Sequence, residues 1–235
     1  MCGRFTQYEP RSHYIEALNP NIELDLAIDE VPIGRYNVAP GTRVLLLNQR
    51  NDKLHLDPVL WGYQPAWAKG SKRPPMINAR VETVATSRMF KPLFEQGRTL
   101  VMADGWYECK KSPSDPKVKQ PYFIYHRAHA PLFFAAIARH HPEVSVPPED
   151  DGFVIITAQS DAGLVDIHDR RPLVLGALQA SKWLNPEISA SGAMSLLGEG
   201  AVPPEEFDWY PVSKAVGNIR NNSAELIHKI SSPLV

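Results

Sequence analysis

The sequence centres on TLVMADGWYECK, residues 99–110. Residues Thr99–Ala103 predict a buried strand, because all but one of them are apolar. Asp104-Gly105 is a signal for a tight turn, and Trp106–Lys110 predicts a second strand that carries one carboxylate, Glu108, among aromatic neighbours. The stretch therefore indicates a β-rich core with a polar residue placed inside it.

The flanking sequence adds short strands and helices in both directions. Strands are predicted at Arg4–Gln7, Val44–Asn48, Leu54–Trp61, Pro121–His126, Pro131–Ala138, Gly152–Gln159 and Asp208–Val212. Helical segments are predicted at Arg11–Leu18, Val81–Gln96, Asp161–Ile167, Ala177–Leu184 and Ala190–Leu197, and a polar loop at 168–172. Strands dominate and most are joined as hairpins. We expect an α+β fold, a single domain over residues 1–235 with a curved, mostly antiparallel sheet or partial barrel and peripheral helices.

The composition limits the function classes. The chain has 235 residues, of which 43% are hydrophobic and 22% charged, with a formal net charge of −1. Any nucleic-acid binding must therefore come from a local basic surface. Two cysteines, Cys2 and Cys109, fit neither a disulfide framework nor a four-ligand zinc site, so we expect no metal and no cofactor. No leader or membrane-spanning run is recognised, and a reducing cytoplasm is expected.

Cys2 follows the initiator Met1 directly. A small second residue favours removal of Met1, which would leave Cys2 with a thiol and an α-amine on neighbouring carbons. Their reference pKa values of about 8.5 and about 7.7–8.0 leave both partly deprotonated near neutral pH. Such a group attacks acyl carbons through sulfur, or traps aldehydes through both atoms. The alternative is that Cys2 is a small buried hydrophobic residue.

Four polar residues, Asn37, Asn78, Glu108 and His168, interrupt apolar or turn-rich segments. Glu108 either points to solvent by strand alternation or lies in an aromatic cleft with a raised pKa. His168 is either a tunable acid–base group or a loop residue at a helix end. Asn78 either orients a reacting group or starts a helix.

Many cations lie close to these segments, and aromatic residues are interleaved with them. Arg4, Arg80, Arg88 and Arg170 can provide a basic face. Trp67, Met89 and Phe90 can stack on or wedge between bases, although on spacing alone Met89 and Phe90 are better explained as core residues.

Five ordered motifs resemble one family. They are MCGRF at residues 1–5, RYNVAP at 35–40, INARVET at 77–83, DGWYE at 104–108 and DIHDRRP at 166–172. Together they are similar to the SRAP (SOS response-associated peptidase) family, and the similarity extends over residues 2–226.

The resemblance implies a sensor of abasic sites in single-stranded DNA that becomes covalently linked through its amino-terminal cysteine as a thiazolidine. Cys2 would be the nucleophile, with Asn78, Glu108 and His168 around it. It also implies removal of Met1, by the protein itself or otherwise, a weak DNA-strand-cleaving lyase activity, and a role in DNA repair and the SOS response. A monomer in the bacterial cytoplasm, associated with the nucleoid or replication fork, is expected, and no replication-fork protein is identified as a partner. The DNA-binding residues would be Arg4, Asn37, Trp67, Arg80, Arg88, Met89, Phe90 and Arg170.

Two other classes stay open on the residues alone. Met-Cys-Gly also begins N-terminal-nucleophile glutamine amidotransferases, in which Cys2 would attack an amide with its own amine as base. A non-catalytic single-stranded DNA-binding module would leave Glu108 and His168 with structural roles.

Overall fold

A computed structural model describes residues 2–20, 22–25, 29–68, 74–115, 117–231 and 233. The four α-helices of this part are α1 (Arg11–Leu18), α2 (Lys91–Gln96), α3 (Ala177–Leu184) and α4 (Ala190–Glu199), with short 3-10 turns at Ala66–Ala68, Ala162–Asp166, Pro204–Glu206, Lys214–Gly217 and Ala224–Ile227. None of the described helices is long and apolar enough to cross a membrane.

Two sheets carry the described strands. The first has five strands in the order β13-β8-β7-β1-β2, which are Phe207–Pro211, Lys119–His126, Gly105–Lys111, Phe5–Gln7 and Arg35–Val38. The second follows the order β11-β10-β9-β6-β3-β4, which are Arg170–Pro172, Gly152–Gln159, Leu132–Arg139, Arg98–Ala103, Arg43–Arg50 and Lys53–Leu60. Two short strands complete it: β5 (Asn78–Arg80) pairs in parallel with β10, and β12 (Val174–Leu175) pairs with β9. The α+β class and the mostly antiparallel pairing are confirmed, with the strands divided between two sheets.

Strand alternation explains why β6 is apolar from Leu100 to Ala103. Leu100 and Met102 face a core that is shared with the helices, whereas Val101 and Ala103 face a second core between the two sheets. Each face of the larger sheet is therefore covered, and a strand buried on both sides is rich in apolar residues on both of its faces. The chain is layered: helices, larger sheet, smaller sheet and, on the outer face of the smaller sheet, the carboxyl-terminal turns that pack on Tyr107 and Phe123.

The turn predicted at Asp104-Gly105 is a corner between the sheets, and not a hairpin, because β6 and β7 pair in different sheets. A Cβ atom on Gly105 would lie 2.4 Å from the Phe123 ring, so only glycine fits there. Asp104 accepts hydrogen bonds from the Tyr8 main-chain N–H at 2.7 Å and the Tyr14 hydroxyl at 2.8 Å. Burial raises the pKa of its carboxyl to about 7.

Two local predictions are wrong. The helix expected over Val81–Gln96 forms only at α2, and residues 81–90 are mainly turns. Side-chain oxygens there bond the main chain, as Ser87 Oγ does to the Met89 N–H at 3.3 Å, and such bonds compete with helix formation. The polar loop expected at 168–172 contains β11, which pairs with β10 through Arg171 and Ala158.

The loop expected between Pro65 and Pro75 is described only at 65–68 and 74–75. Met1 lies outside the described residues.

Candidate active site

Cys2 is fully buried in the core between the two sheets. The strand that follows it, β1, lies between β7 and β2, and the Tyr107 N–H donates to the Arg4 carbonyl at 2.9 Å. Burial, reinforced by the charge of Glu108, raises the pKa of the Cys2 thiol well above its ordinary value. The expectation that the thiol is partly deprotonated without influence from the protein is therefore wrong, because desolvation disfavours the thiolate.

Asn78 opens β5 and reaches the amino-terminal segment. Its side-chain Nδ2 donates to the Cys2 carbonyl oxygen at 3.0 Å. Pairing of Asn78 with Ile155 of β10 fixes the strand from which this side chain projects. Asn78 Oδ1 is buried and accepts no hydrogen bond from the described part of the chain. The Asn78 amide therefore binds the Cys2 carbonyl through Nδ2, and its Oδ1 is left as a buried hydrogen-bond acceptor.

Glu108 lies on β7 and shares a face with Trp106, two residues earlier on the strand. The residue is 6% exposed, so the solvent-facing alternative is excluded. Burial raises the pKa of its carboxyl to about 7. A carboxyl with that pKa is present in both protonation states near neutral pH and can serve as acid and as base.

His168 follows the 3-10 turn Ala162–Asp166, and its N–H donates to Leu164 O at 3.1 Å. Its ring Nδ1 lies 3.0 Å from the Arg170 N–H and 2.8 Å from the Asp169 carboxylate. The first contact requires an unprotonated Nδ1 and the second a protonated one. Burial lowers the pKa of His168, and the Asp169 carboxylate is mostly exposed, so the neutral ring with Nδ1 as acceptor is favoured.

Glu108 and His168 line the same open cavity, whose volume is about 340 Å³. Its wall includes Gly3 and Arg4 from the amino-terminal segment and Val216 and Gly217 from the tail. The same two residues also border a narrow gap that is lined by Trp106 and Arg171. The structure thus brings Cys2, Asn78, Glu108 and His168 to one region. Asn78 donates to the Cys2 carbonyl, the charge of Glu108 adds to the burial that raises the pKa of the Cys2 thiol, and Glu108 and His168 line one cavity.

Other cavities lie elsewhere. One of about 290 Å³ is lined by Tyr8, Asp104, Tyr125 and Tyr210, and another of about 340 Å³ is bordered by Asp57, His140 and His141. Neither includes any of the four residues expected to be catalytic. Within the described ranges, no three His, Cys, Asp or Glu side chains are grouped so that they could hold a metal ion.

Arg170 is buried and already has an anionic partner. Its guanidinium contacts both carboxylate oxygens of Glu82, at 2.6 and 3.1 Å, and also donates to the Thr157 carbonyl. These hydrogen bonds lower the pKa of Glu82. The predicted DNA contact of Arg170 remains a prediction, and it has to compete with this pairing. Arg80, two residues before Glu82, is exposed.

Trp67 and Arg88 form an exposed pair. The Arg88 guanidinium carbon lies 5.1 Å from the centre of the Trp67 ring, and Trp67 is 58% exposed. By contrast, Phe90 is buried in the helix-side core and Met89 packs against it. This arrangement favours the core interpretation of Met89 and Phe90, while their DNA-binding role stays a prediction.

Asn37 connects β2 to the carboxyl-terminal turns. Its Nδ2 lies 3.0–3.2 Å from the carbonyl oxygens of Val216, Asn218 and Asn221, and its Oδ1 accepts from Arg4 at 3.3 Å. Asn222, which the sequence interpretation did not single out, accepts from the Tyr36 N–H at 2.8 Å. The only sequence signal for this contact is the polar run at 218–222. Asn37 and Asn222 therefore hold the tail that supplies Val216 and Gly217 to the cavity wall.

The family pattern described as SOS response associated peptidase (SRAP) matches residues 1–219. The chain belongs to the SRAP family. A relative from Escherichia coli strain K12, the abasic site processing protein YedK, is 53% identical over 230 residues, which cover 98% of this chain and 100% of YedK.

More distant SRAP relatives carry the same description. The abasic site processing protein YoqW of Bacillus subtilis is 32% identical and covers 97% of this chain and 99% of its own length. Among solved structures, a phage-related protein from Bordetella bronchiseptica matches with a TM-score of 0.76 and 38% identity, over 91% of this chain and 95% of that one. The SRAP resemblance inferred from the five motifs is thereby confirmed.

Proposed function

We propose that this SRAP protein senses abasic sites in single-stranded DNA and forms a covalent DNA–protein crosslink through Cys2. The observation that carries the proposal is the placement of Cys2 against Asn78 and Glu108 beside an open cavity. Relatives that match nearly the whole chain are named abasic site processing proteins, which supports it.

The chemistry requires both nucleophiles of one residue. The ring-opened abasic sugar presents an aldehyde, and the free α-amine of Cys2 adds to its carbon to give a carbinolamine. Loss of one water leaves an imine, to which the Cys2 sulfur adds while its proton passes to the nitrogen. The product is a five-membered thiazolidine, and the only by-product is that water, so no oxidant or reductant is needed.

Glu108 supplies and accepts the protons of this sequence. Protonated, it assists departure of the carbinolamine hydroxyl; ionised, it removes a proton from the amine or from the thiol, whose pKa is raised by burial. Neutral His168 donates to the sugar oxygen during ring opening. Asn78 orients Cys2 through its carbonyl, and its Oδ1 accepts from the α-amine.

Two further activities belong to the proposal. Met1 must be removed before the α-amine of Cys2 exists, and we include self-catalysed removal in the proposal. The imine also acidifies the neighbouring carbon, so slow β-elimination would cleave the DNA strand. We propose that one domain spanning the chain, acting as a cytoplasmic monomer on DNA, does all of this without a metal or cofactor.

A denaturing gel tests the proposal. Wild-type protein should give an adduct that survives heat and SDS with single-stranded DNA containing one abasic site, and none with intact DNA. Cys2→Ala should give no stable adduct. Cys2→Ser keeps the amine but lacks sulfur, so it should yield an adduct only when borohydride reduces the imine. A stable adduct with Cys2→Ala at the wild-type rate would refute the thiazolidine.

A further inference from the structure

Lys111 and Lys119 face each other across the end of the β7–β8 hairpin, where they are register partners. Both are exposed, and both line the cavity that Glu108 and His168 border. Strand alternation places Lys111 on the same face as Tyr107 and Cys109, which also line that cavity.

This pair is electrostatically uncompensated. Like charges placed directly opposite each other on two strands destabilise the pairing. Within the described residues, neither lysine forms an ion pair with a carboxylate. An anion held between the two ammonium groups would remove the repulsion.

The charge of the two lysines acts on His168 and Cys109, which line the same cavity. Burial is the main cause of the lowered pKa of His168, and the positive charge of Lys111 lowers it further. Burial raises the pKa of Cys109, and the charge of Lys119 opposes that rise. The two ammonium groups are thus part of the electrostatic environment of the cavity and not of a remote surface.

We propose that Lys111 and Lys119 together bind one backbone phosphate of the DNA strand beside the abasic sugar. The inference rests on the proposed function and extends it. Lysine ammonium groups recognise phosphate as point charges. The strand rise places the Cα atom of Lys111 roughly 10 Å from that of Glu108, within reach of a linkage next to the lesion.

We call Lys111 and Lys119 together the lysine clamp. The clamp is separate from the exposed Trp67–Arg88 pair and from Arg80, none of which lines this cavity. The residues proposed to contact DNA therefore come from different segments of the chain. Binding at the clamp fixes where the reactive sugar lies along the strand, because a phosphate is covalently tied to the sugar beside it.

The test is the salt dependence of binding by the Lys111→Gln/Lys119→Gln double variant. Neutralising one fewer phosphate should reduce the slope of log affinity against log salt by about 0.7 for single-stranded DNA. Loss of a charge-assisted contact should weaken affinity roughly tenfold at low salt.

Lys117→Gln is the matched control, because Lys117 is exposed on the same hairpin but does not line the cavity. A methylphosphonate placed at each linkage in turn should weaken wild-type binding most at one linkage beside the lesion, and the double variant should be insensitive there. An unchanged slope, or an equal loss with Lys117→Gln, would overturn the clamp while the wild-type adduct still forms. Absence of any wild-type adduct would instead refute the proposed function.

Discussion

The Cys2 region and the Trp67–Arg88 surface differ in how the fold holds them. Cys2, Asn78 and Glu108 are buried, and each is fixed by strand pairing or by the core between the sheets. Trp67 and Arg88 are exposed and are joined by one cation–π contact. A buried group has its pKa and orientation set by its surroundings, whereas an exposed one contributes contact area and charge. Substitutions in the first region should therefore change the reaction rate, and substitutions in the second should change affinity.

The largest effect is expected from Glu108→Gln. The amide keeps the shape of the side chain but cannot exchange protons, so the single-turnover crosslinking rate at saturating DNA should fall about 100-fold. The low-pH limb of the rate profile, with an apparent pKa near 7, should disappear. Glu16→Gln, an exposed helix position, is the control. If Glu108→Gln crosslinks at the wild-type rate, Glu108 does not transfer protons in the reaction.

The same variant should change the pH dependence of stability. The folded pKa of Glu108, about 7, lies above the ordinary carboxyl value near 4.3, so the folded state binds the extra proton between these values. The destabilisation by Glu108 is therefore absent below about pH 4 and fully present above about pH 7. In urea unfolding, Glu108→Gln should gain about 1–3 kcal/mol relative to wild type between pH 4 and pH 8. If the difference in unfolding free energy between Glu108→Gln and wild type does not vary with pH, the pKa of Glu108 is not raised in the folded state.

Two asparagines allow a matched comparison between a residue that acts on the reaction and a residue that stabilises the fold. Asn78→Ala removes the bond to the Cys2 carbonyl and should slow crosslinking roughly tenfold, the value of about one hydrogen bond. Asn37→Ala removes contacts to the tail and should cost about 1–3 kcal/mol of unfolding free energy while leaving the chemical step within a few-fold. Rapid-quench crosslinking measures the rate of the chemical step in both variants, and thermal unfolding measures their stability. If the two variants behave alike, the distinction between the two roles is wrong.

The smallest effect belongs to the exposed surface. Trp67→Ala should weaken binding to single-stranded DNA about fivefold through lost stacking. The rate at saturating DNA should not change, because Trp67 does not line the cavity of Glu108. Leu178→Ala, another exposed apolar position, is the control for surface area. A lower crosslinking rate at saturating DNA for Trp67→Ala would show that Trp67 also affects the chemical step.

Local patterns were sufficient for many elements. The hairpin of β3 and β4, the helix Arg11–Leu18 and the helix Ala177–Leu184 follow from alternation, helical spacing and turn residues within a few positions. The motifs also identified the SRAP family, and with it Cys2 and the three residues predicted around it. Each of these predictions needs only residues that are close together in the sequence.

Features that depend on distant partners were not predictable in this way. The corner at Asp104-Gly105 depends on which sheet each neighbouring strand joins. The position of Arg170 depends on Glu82, 88 residues away, and that of Asn37 on carbonyls about 180 residues away. The raised pKa of Cys2 results from enclosure between two sheets, which no neighbouring residue encodes.

The most direct measurement of the central claim is the intact mass of the adduct with a defined abasic oligonucleotide, combined with fragmentation. The thiazolidine mechanism predicts the mass of the protein without Met1 plus that of the DNA, less one water, with the modification on Cys2. An adduct that retains Met1, or whose attachment lies on a lysine, would contradict it.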